Sequence, residues 1–177
     1  MAEARSIVVA GAGALGLSCA LALADAGHRV RLFDPAPEGE NASAIAAGML
    51  APAFEAALEA ETRPHFELLM AARDLWPGLA TRLGLPLGLE GALALGGEAW
   101  LESLDAAFRD LGVEASRLDE KAVRHRAPGL REGLRSGLLA PGDWRVDARR
   151  AIETLRREAV AAGVVIEARP LPASVSE

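Results

Sequence analysis

The chain opens with a short apolar run, Ser6–Ala10 (SIVVA), then glycines, then a long apolar stretch. A continuous β-branched run of this length predicts a central parallel strand covered on both faces. Residues 14–26 are apolar nearly all round and predict a buried helix, stopped by Gly27. Residues 28–33 (HRVRLF) alternate and predict the next strand. A polar loop follows, and then a small, apolar segment at 44–52 with a glycine in its middle, read as main chain meant to lie close to something. Thr62 predicts a cap for a helix starting near Pro64. The apolar positions Phe66, Leu69, Met70, Trp76, Leu79 and Leu83 recur at helical spacing, and Pro77 predicts a kink or a split. Residues 85–97 predict a strand with tight turns. Residues 99–111 form an amphipathic helical pattern stopped by Gly112, and Asp119 starts a short charged helix ending before Pro128. A strand at 134–140, a turn at 141–143, a helix at 148–162 capped by Asp147 and a short strand at 164–167 complete the pattern. Strands alternating with helices predict an α/β fold.

Gly11, Gly13 and Gly16 stand at GxGxxG spacing between the first strand and the first helix. Gly11 permits the tight turn, Gly13 lets backbone approach a pyrophosphate, and Gly16 lets the helix pack closely on the strand. The N–H groups near Ala14 and Leu15 then face the phosphates with the positive end of the helix dipole. Asp34 closes the second strand, eighteen residues after Gly16. Its carboxylate can accept both ribose hydroxyls of an adenosine and repels a 2′-phosphate, which disfavours NADP and leaves FAD and NAD. The competing reading is a strand-ending aspartate that caps the turn before Pro35. An NAD-binding half would continue into another helix and a third strand. Here a polar loop leads instead to Ser43 and the small residues up to Met49 and Leu50. Main chain of this kind can run beneath a flavin, which favours FAD over a ligand-free buried alanine helix.

Composition narrows the reading. The 177 residues are 51% apolar and 25% charged, as expected of a globular chain, and the net charge of −6 argues against nucleic-acid or anionic-membrane partners. No apolar run suits a membrane span, and the MAEARS start has no secretory pattern. A single cysteine, Cys19, excludes an internal disulfide and fits a reducing cytoplasm. Cys19 is expected inside the buried helix as a structural thiol. His28, His65 and His125 are scattered, so no metal site is expected. Trp76 and Trp100 are expected in the core, and Trp144 is expected to pack between domains. Arg149, Arg150, Arg156 and Arg157 are read as a solvated helix face, as are the acids Glu55, Glu59 and Glu61, with Glu55 the one closest to the 44–52 segment.

The run GAGALGLSCALALADAGHRVRLFD, followed by NASAIAAGMLAP, resembles the amino-terminal half of the D-amino-acid oxidase family of flavoproteins. The AAGMLAP run is most similar to the glycine oxidase branch, the amine oxidases of thiamine biosynthesis. Residues 141–147 (PGDWRVD) resemble the family's D-x-x-V-D-P segment, with Ala148 where proline is usual. The resemblance implies a glutathione-reductase-like, Rossmann-like FAD domain at 1–84 and 145–177, with part of an α+β substrate domain at 85–144. It implies FAD contacts at Ala14 and Leu15 in the turn, Asp34 and Pro35 at the ribose, Ala42 and Ser43 near the phosphates, and Ala47, Gly48 and Met49 near the flavin ring. It also implies oxidation of a C–N bond in a small amino acid or amine, with imine hydrolysis and H₂O₂ as product. The substrate-gripping arginine, most of the substrate sheet and a second glycine-rich segment belong to the family's later half. No catalytic residue is therefore carried over, and the chain alone is expected to be inactive. The rival expectations are a non-catalytic dinucleotide-binding fragment, a D-amino-acid dehydrogenase or an NAD-dependent module. Oligomeric state stays open, a homo-oligomer included.

Overall fold

The computed structural model describes residues 3–130, 133 and 136–172. In chain order the elements are β1 (Ser6–Ala10), α1 (Ala14–Asp25), β2 (Arg29–Phe33), α2 (Ala42–Ile45), β3 (Met49–Leu50), α3 (Pro52–Leu58), α4 (Phe66–Asp74) and α5 (Trp76–Leu83). There follow β4 (Leu87–Gly88), β5 (Ala92–Leu95), α6 (Glu98–Asp110), β6 (Ser116–Asp119), α7 (Glu120–Arg126), β7 (Ser136–Ala140), β8 (Trp144–Val146), α8 (Ala148–Ala161) and β9 (Val165–Glu167). Positions 134 and 135 of the expected strand lie outside the described residues. The chain forms two units. One holds the described residues up to Gly48, Ala80–Leu85 and those from Asp147 on; the other holds Met49–Leu79 and the described residues of Pro86–Val146.

In the first unit the strands run parallel in the order β1-β2-β9. Ser6 stands opposite Arg29 and Ala10 opposite Phe33, while Phe33 stands opposite Glu167 on its other side. The core is made by Leu17, Leu21, Leu32, Phe33, Ile152 and Leu155, all buried. Ion pairs tie the pieces together: Arg31 to Glu167 at 2.7 Å across β2 and β9, and Arg82 to Asp25 at the end of α1. Two expectations need correction here. β1 is an end strand among the described residues, so Ile7 and Val9 are only half-buried and Val8 is exposed. α1 buries only Leu17, Ala20 and Leu21; Leu15 and Cys19 lie on its exposed side, so the thiol is not a core group. An all-round apolar pattern sets how much a helix can bury, not how many neighbours it meets.

The second unit contains two antiparallel sheets, β3-β8-β4 and β5-β7-β6. Leu50 stands opposite Trp144, and Leu93 opposite Leu139. Leu101, Leu104 and Phe108 of α6 bury their apolar stripe with Phe54 and Leu138, the two phenylalanine rings meeting edge to face at 5.1 Å. Residues 49–79 pack in this unit, whereas the sequence grouped 49–84 with the nucleotide-binding domain. The physical reason is long-range in sequence: β3 pairs with β8, and Asp143 holds the start of α3. The Pro77 reading holds, with α4 ending at Asp74 and α5 starting at Trp76. Thr62 makes no side-chain cap; its hydroxyl donates to Glu59 at 3.1 Å. Trp100 is 43% exposed and not core, and Trp76 is half-buried. Trp144 packs under the Arg73 guanidinium, 4.5 Å from the ring centroid, within this one unit.

Candidate functional site: the glycine turn and the aspartate that closes it

The turn between β1 and α1 needs glycine at two points for different reasons. Gly11 has φ +95°, a conformation that L side chains rarely adopt, and its N–H donates to the Phe33 carbonyl at 2.7 Å. At Gly16 the obstacle is space, because an added Cβ would overlap the Gly11 carbonyl oxygen. Gly13 faces Ser43, whose Oγ would lie 2.9 Å from a Cβ there. Gly13, at the cap position of α1, has no side chain to offer and no acid stands in the first turn, so this N-terminus favours an anion.

Asp34 does more than end a strand. Its Oδ2 accepts the Ala12 N–H at 2.6 Å, and its Oδ1 accepts the Ala36 N–H at 2.8 Å. The turn-capping reading is therefore correct in part, and the same carboxylate also clamps the glycine turn. Each oxygen keeps a lone pair for a further donor, such as a ribose hydroxyl. The loop after Asp34 returns across the turn. Ser43 Oγ accepts the Ala14 N–H at 3.0 Å, and Asn41 Nδ2 donates to the Ala12 carbonyl at 2.9 Å. Asn41 Oδ1 also accepts the Ala44 N–H at 3.0 Å and so caps α2. Sequence reasoning missed Asn41; the available signal was a capping residue directly before the short alanine segment.

A recess of about 410 Å³ opens here, lined by Gly11, Gly13, Ala14, Leu15, Gly16 and Ser43, with Val9, Ala10 and Cys19. Pro35, Ala42, Ala47 and Gly48 belong to the same unit but do not line it. Gly48 has φ +75°. Met49 lies in β3 of the second unit, opposite Arg145 and 54% exposed. The residues present fit the phosphate and ribose end of an adenine dinucleotide: a recess along the glycine turn at the N-terminus of α1, and a carboxylate with free lone pairs.

In the second unit Asp143 is fully buried. Its two oxygens accept the N–H groups of Ala53 and Phe54, each at 3.0 Å, which supplies the cap that Ala51 cannot give to α3. Burial raises its pKa above the ordinary value, while those two N–H groups and Arg73 oppose the rise. Among the described residues no cluster of three or more His, Cys, Asp and Glu is placed to hold a metal ion. No helix among them is long and apolar enough to cross a membrane.

The parallel strands, glycine turn and clamping aspartate define an α/β dinucleotide-binding unit. The chain belongs to the FAD dependent oxidoreductase family (DAO), which residues 6–171 match. It is 27% identical over 177 residues to a glycine oxidase of Geobacillus kaustophilus, covering 94% of this chain and 46% of the relative. It is 31% identical over 170 residues to a D-amino-acid oxidase of Streptomyces coelicolor, covering 92% and 46%. A bifunctional ThiO/ThiG protein of Synechocystis is 27% identical over 168 residues, 94% of this chain and 25% of that protein. The crystal structure of the Geobacillus kaustophilus glycine oxidase superposes with a TM-score of 0.78 at 28% identity, over 93% of this chain and 47% of that one. The chain spans about half the length of the glycine and D-amino-acid oxidases it matches, or less in the bifunctional relative.

Proposed function

We propose that this chain supplies the adenosine and pyrophosphate cradle, and part of the substrate side, of an FAD-dependent amine oxidase. Its substrate is glycine or a related small amino acid or amine, its products are an imine and H₂O₂, and its setting is cytoplasmic thiamine biosynthesis. The supporting observation is the turn itself, in which Asp34, Asn41 and Ser43 converge on backbone that Gly16 keeps clear. FAD, when bound, would accept a hydride from the carbon of the C–N bond as it becomes an imine, and O₂ would take those two electrons from the reduced flavin to give H₂O₂. The chain's own part is to bind and orient. The N-terminus of α1 neutralises phosphate charge, with Ala14, Leu15 and Gly16 nearest. Asp34 holds the ribose, with Pro35 fixing the chain behind it. Ala42 and Ser43 close over the phosphates, and Ala47, Gly48 and Met49 approach the flavin ring.

A second reading is a dinucleotide-binding unit without turnover, which the glycine turn and its clamping aspartate support by themselves. One experiment separates the two. The purified chain is equilibrated with FAD, bound flavin is measured by quenching of its fluorescence, and glycine or sarcosine is added while peroxide is followed. Flavin binding weakened by Asp34→Ala supports the cradle, and NAD binding in place of FAD overturns it. Peroxide release supports the oxidase reading. Bound flavin without peroxide is the outcome the second reading requires.

A further inference from the structure

In the second unit the first turn of α3, the end of β3 and the facing sides of α4 and α5 surround a recess of about 270 Å³. That lies just under the ~300–1,000 Å³ typical of sites for drug-sized ligands, so any ligand here is small. Its walls are mostly apolar: Met49, Leu50, Leu69 and the half-buried Trp76. Three polar side chains line it, Glu55, Thr62 and Arg73.

Two of these are committed elsewhere. Arg73 Nη1 donates to the Gly142 carbonyl, Nε and Nη2 donate to Asp74 at 3.0 and 2.6 Å, and the guanidinium carbon lies over the Trp144 ring. Three of its five N–H groups are thereby used and its charge is paired with Asp74, so it enters the recess as half of a neutral pair. The Thr62 hydroxyl donates to Glu59. Glu55 is different: among the described residues its carboxylate has no hydrogen bond and no ion pair. Electrostatics at this end of α3 are correspondingly negative, since the buried Asp143 carboxyl already occupies the helix N-terminus and Glu55 adds to the field it feels.

An uncommitted carboxylate beside apolar walls and an indole selects for an organic cation with a short apolar body. The carboxylate meets the charge, the walls take the body, and the indole adds a cation–π attraction. An anion of the same shape meets repulsion from Glu55, while the charge of Arg73 is already paired with Asp74. We propose that this recess is a subsite for a small alkylammonium group, with Glu55 as its specificity-determining residue. In the oxidase reading this deepens the substrate class: amines with a neutral or cationic substituent are accepted at this position, and those with a second carboxylate are rejected. What the ligand is rests on that reading; whether the recess binds a cation does not.

The test uses the purified 177-residue chain and three probes of one shape: butylammonium, 1-butanol and butyrate. Binding is followed at the indole N–H resonance of Trp76 in ¹H–¹⁵N spectra. Butylammonium should shift it saturably, with butanol and butyrate weaker. Glu55→Gln should weaken butylammonium by about fivefold, the order expected for a partly exposed ion pair, and leave butanol unchanged. Glu59→Gln, which removes a neighbouring acid outside the recess, should change neither. Equal shifts from all three probes, no shift at all, or an unaltered response in Glu55→Gln overturns the subsite. Flavin binding with no butylammonium response removes the subsite and leaves the oxidase reading intact. A butylammonium response without flavin binding does the reverse.

Discussion

A single missing atom sets the geometry of the nucleotide turn. Gly16 has no room for a Cβ, because the position that atom would take is filled by the Gly11 carbonyl oxygen, a backbone group that cannot swing aside. Gly16→Ala should therefore destabilise the chain by about 1–3 kcal/mol, as overpacking does, and displace the first turn of α1 from Ser43. Gly78→Ala is the contrasting case. It lies in α5, at no left-handed φ, with open space around the added atom, and should stabilise by about 0.4–1 kcal/mol. Thermal unfolding should thus move in opposite directions for the two variants. A Gly16→Ala chain that melts like the parent and still binds FAD would remove the steric argument. Asp34 shows the same economy at residue scale, since one carboxylate fixes both the turn before it and the loop after it.

Elements were legible where their signal is local. α6, α7 and α8 fall within a residue or so of the pattern, because each carries its own stripe or its own cap; Asp119 and Asp147 accept the N–H groups of Ala122 and Arg150. The glycine turn and Asp34 were legible for the same reason, being fixed by spacing. What the pattern missed is non-local. β3 is two residues long and exists through its pairing with β8, nearly a hundred positions later. α3 begins at Pro52 after Ala51, a residue that cannot cap, and its cap arrives from Asp143. β1 was read correctly as a strand, but the pattern carries no information on its neighbours. Its outer edge has no partner among the described residues, and Ile7, Val8 and Val9 give it no charge to deter one. The chain should accordingly self-associate as concentration rises, and Val8→Lys should suppress this with little loss of stability. Light scattering across a dilution series checks it, and identical scattering from the two proteins would exclude the edge as the cause.

At the scale of the whole molecule, two carboxylates give stability opposite dependences on pH. Glu167 is held below its ordinary value of 4.5, first by Arg31 and then by Arg169. A depressed group contributes stability that is present above the ordinary value and lost as pH falls through the lowered one. Asp143 is raised above 3.8, chiefly by burial. The folded chain therefore holds its proton more tightly than the unfolded chain, and its contribution is lost as pH rises through the raised value. Measured by thermal unfolding, Glu167→Gln should lose less stability than the parent as pH falls below 4.5. Asp143→Asn should lose less than the parent as pH rises from 3.8. Reversed slopes would refute the assignment. The Asp143 clamp also has a consequence in time. A seven-residue helix is marginal by itself, and the carboxylate that steadies α3 is 90 positions downstream. A ribosome adding roughly 5–20 residues per second delivers Asp143 only about 5–20 s after Ala53. Throughout that interval the nascent segment bearing Glu55 has no anchor, which makes it a stretch that chaperones and proteases meet before its fold is closed.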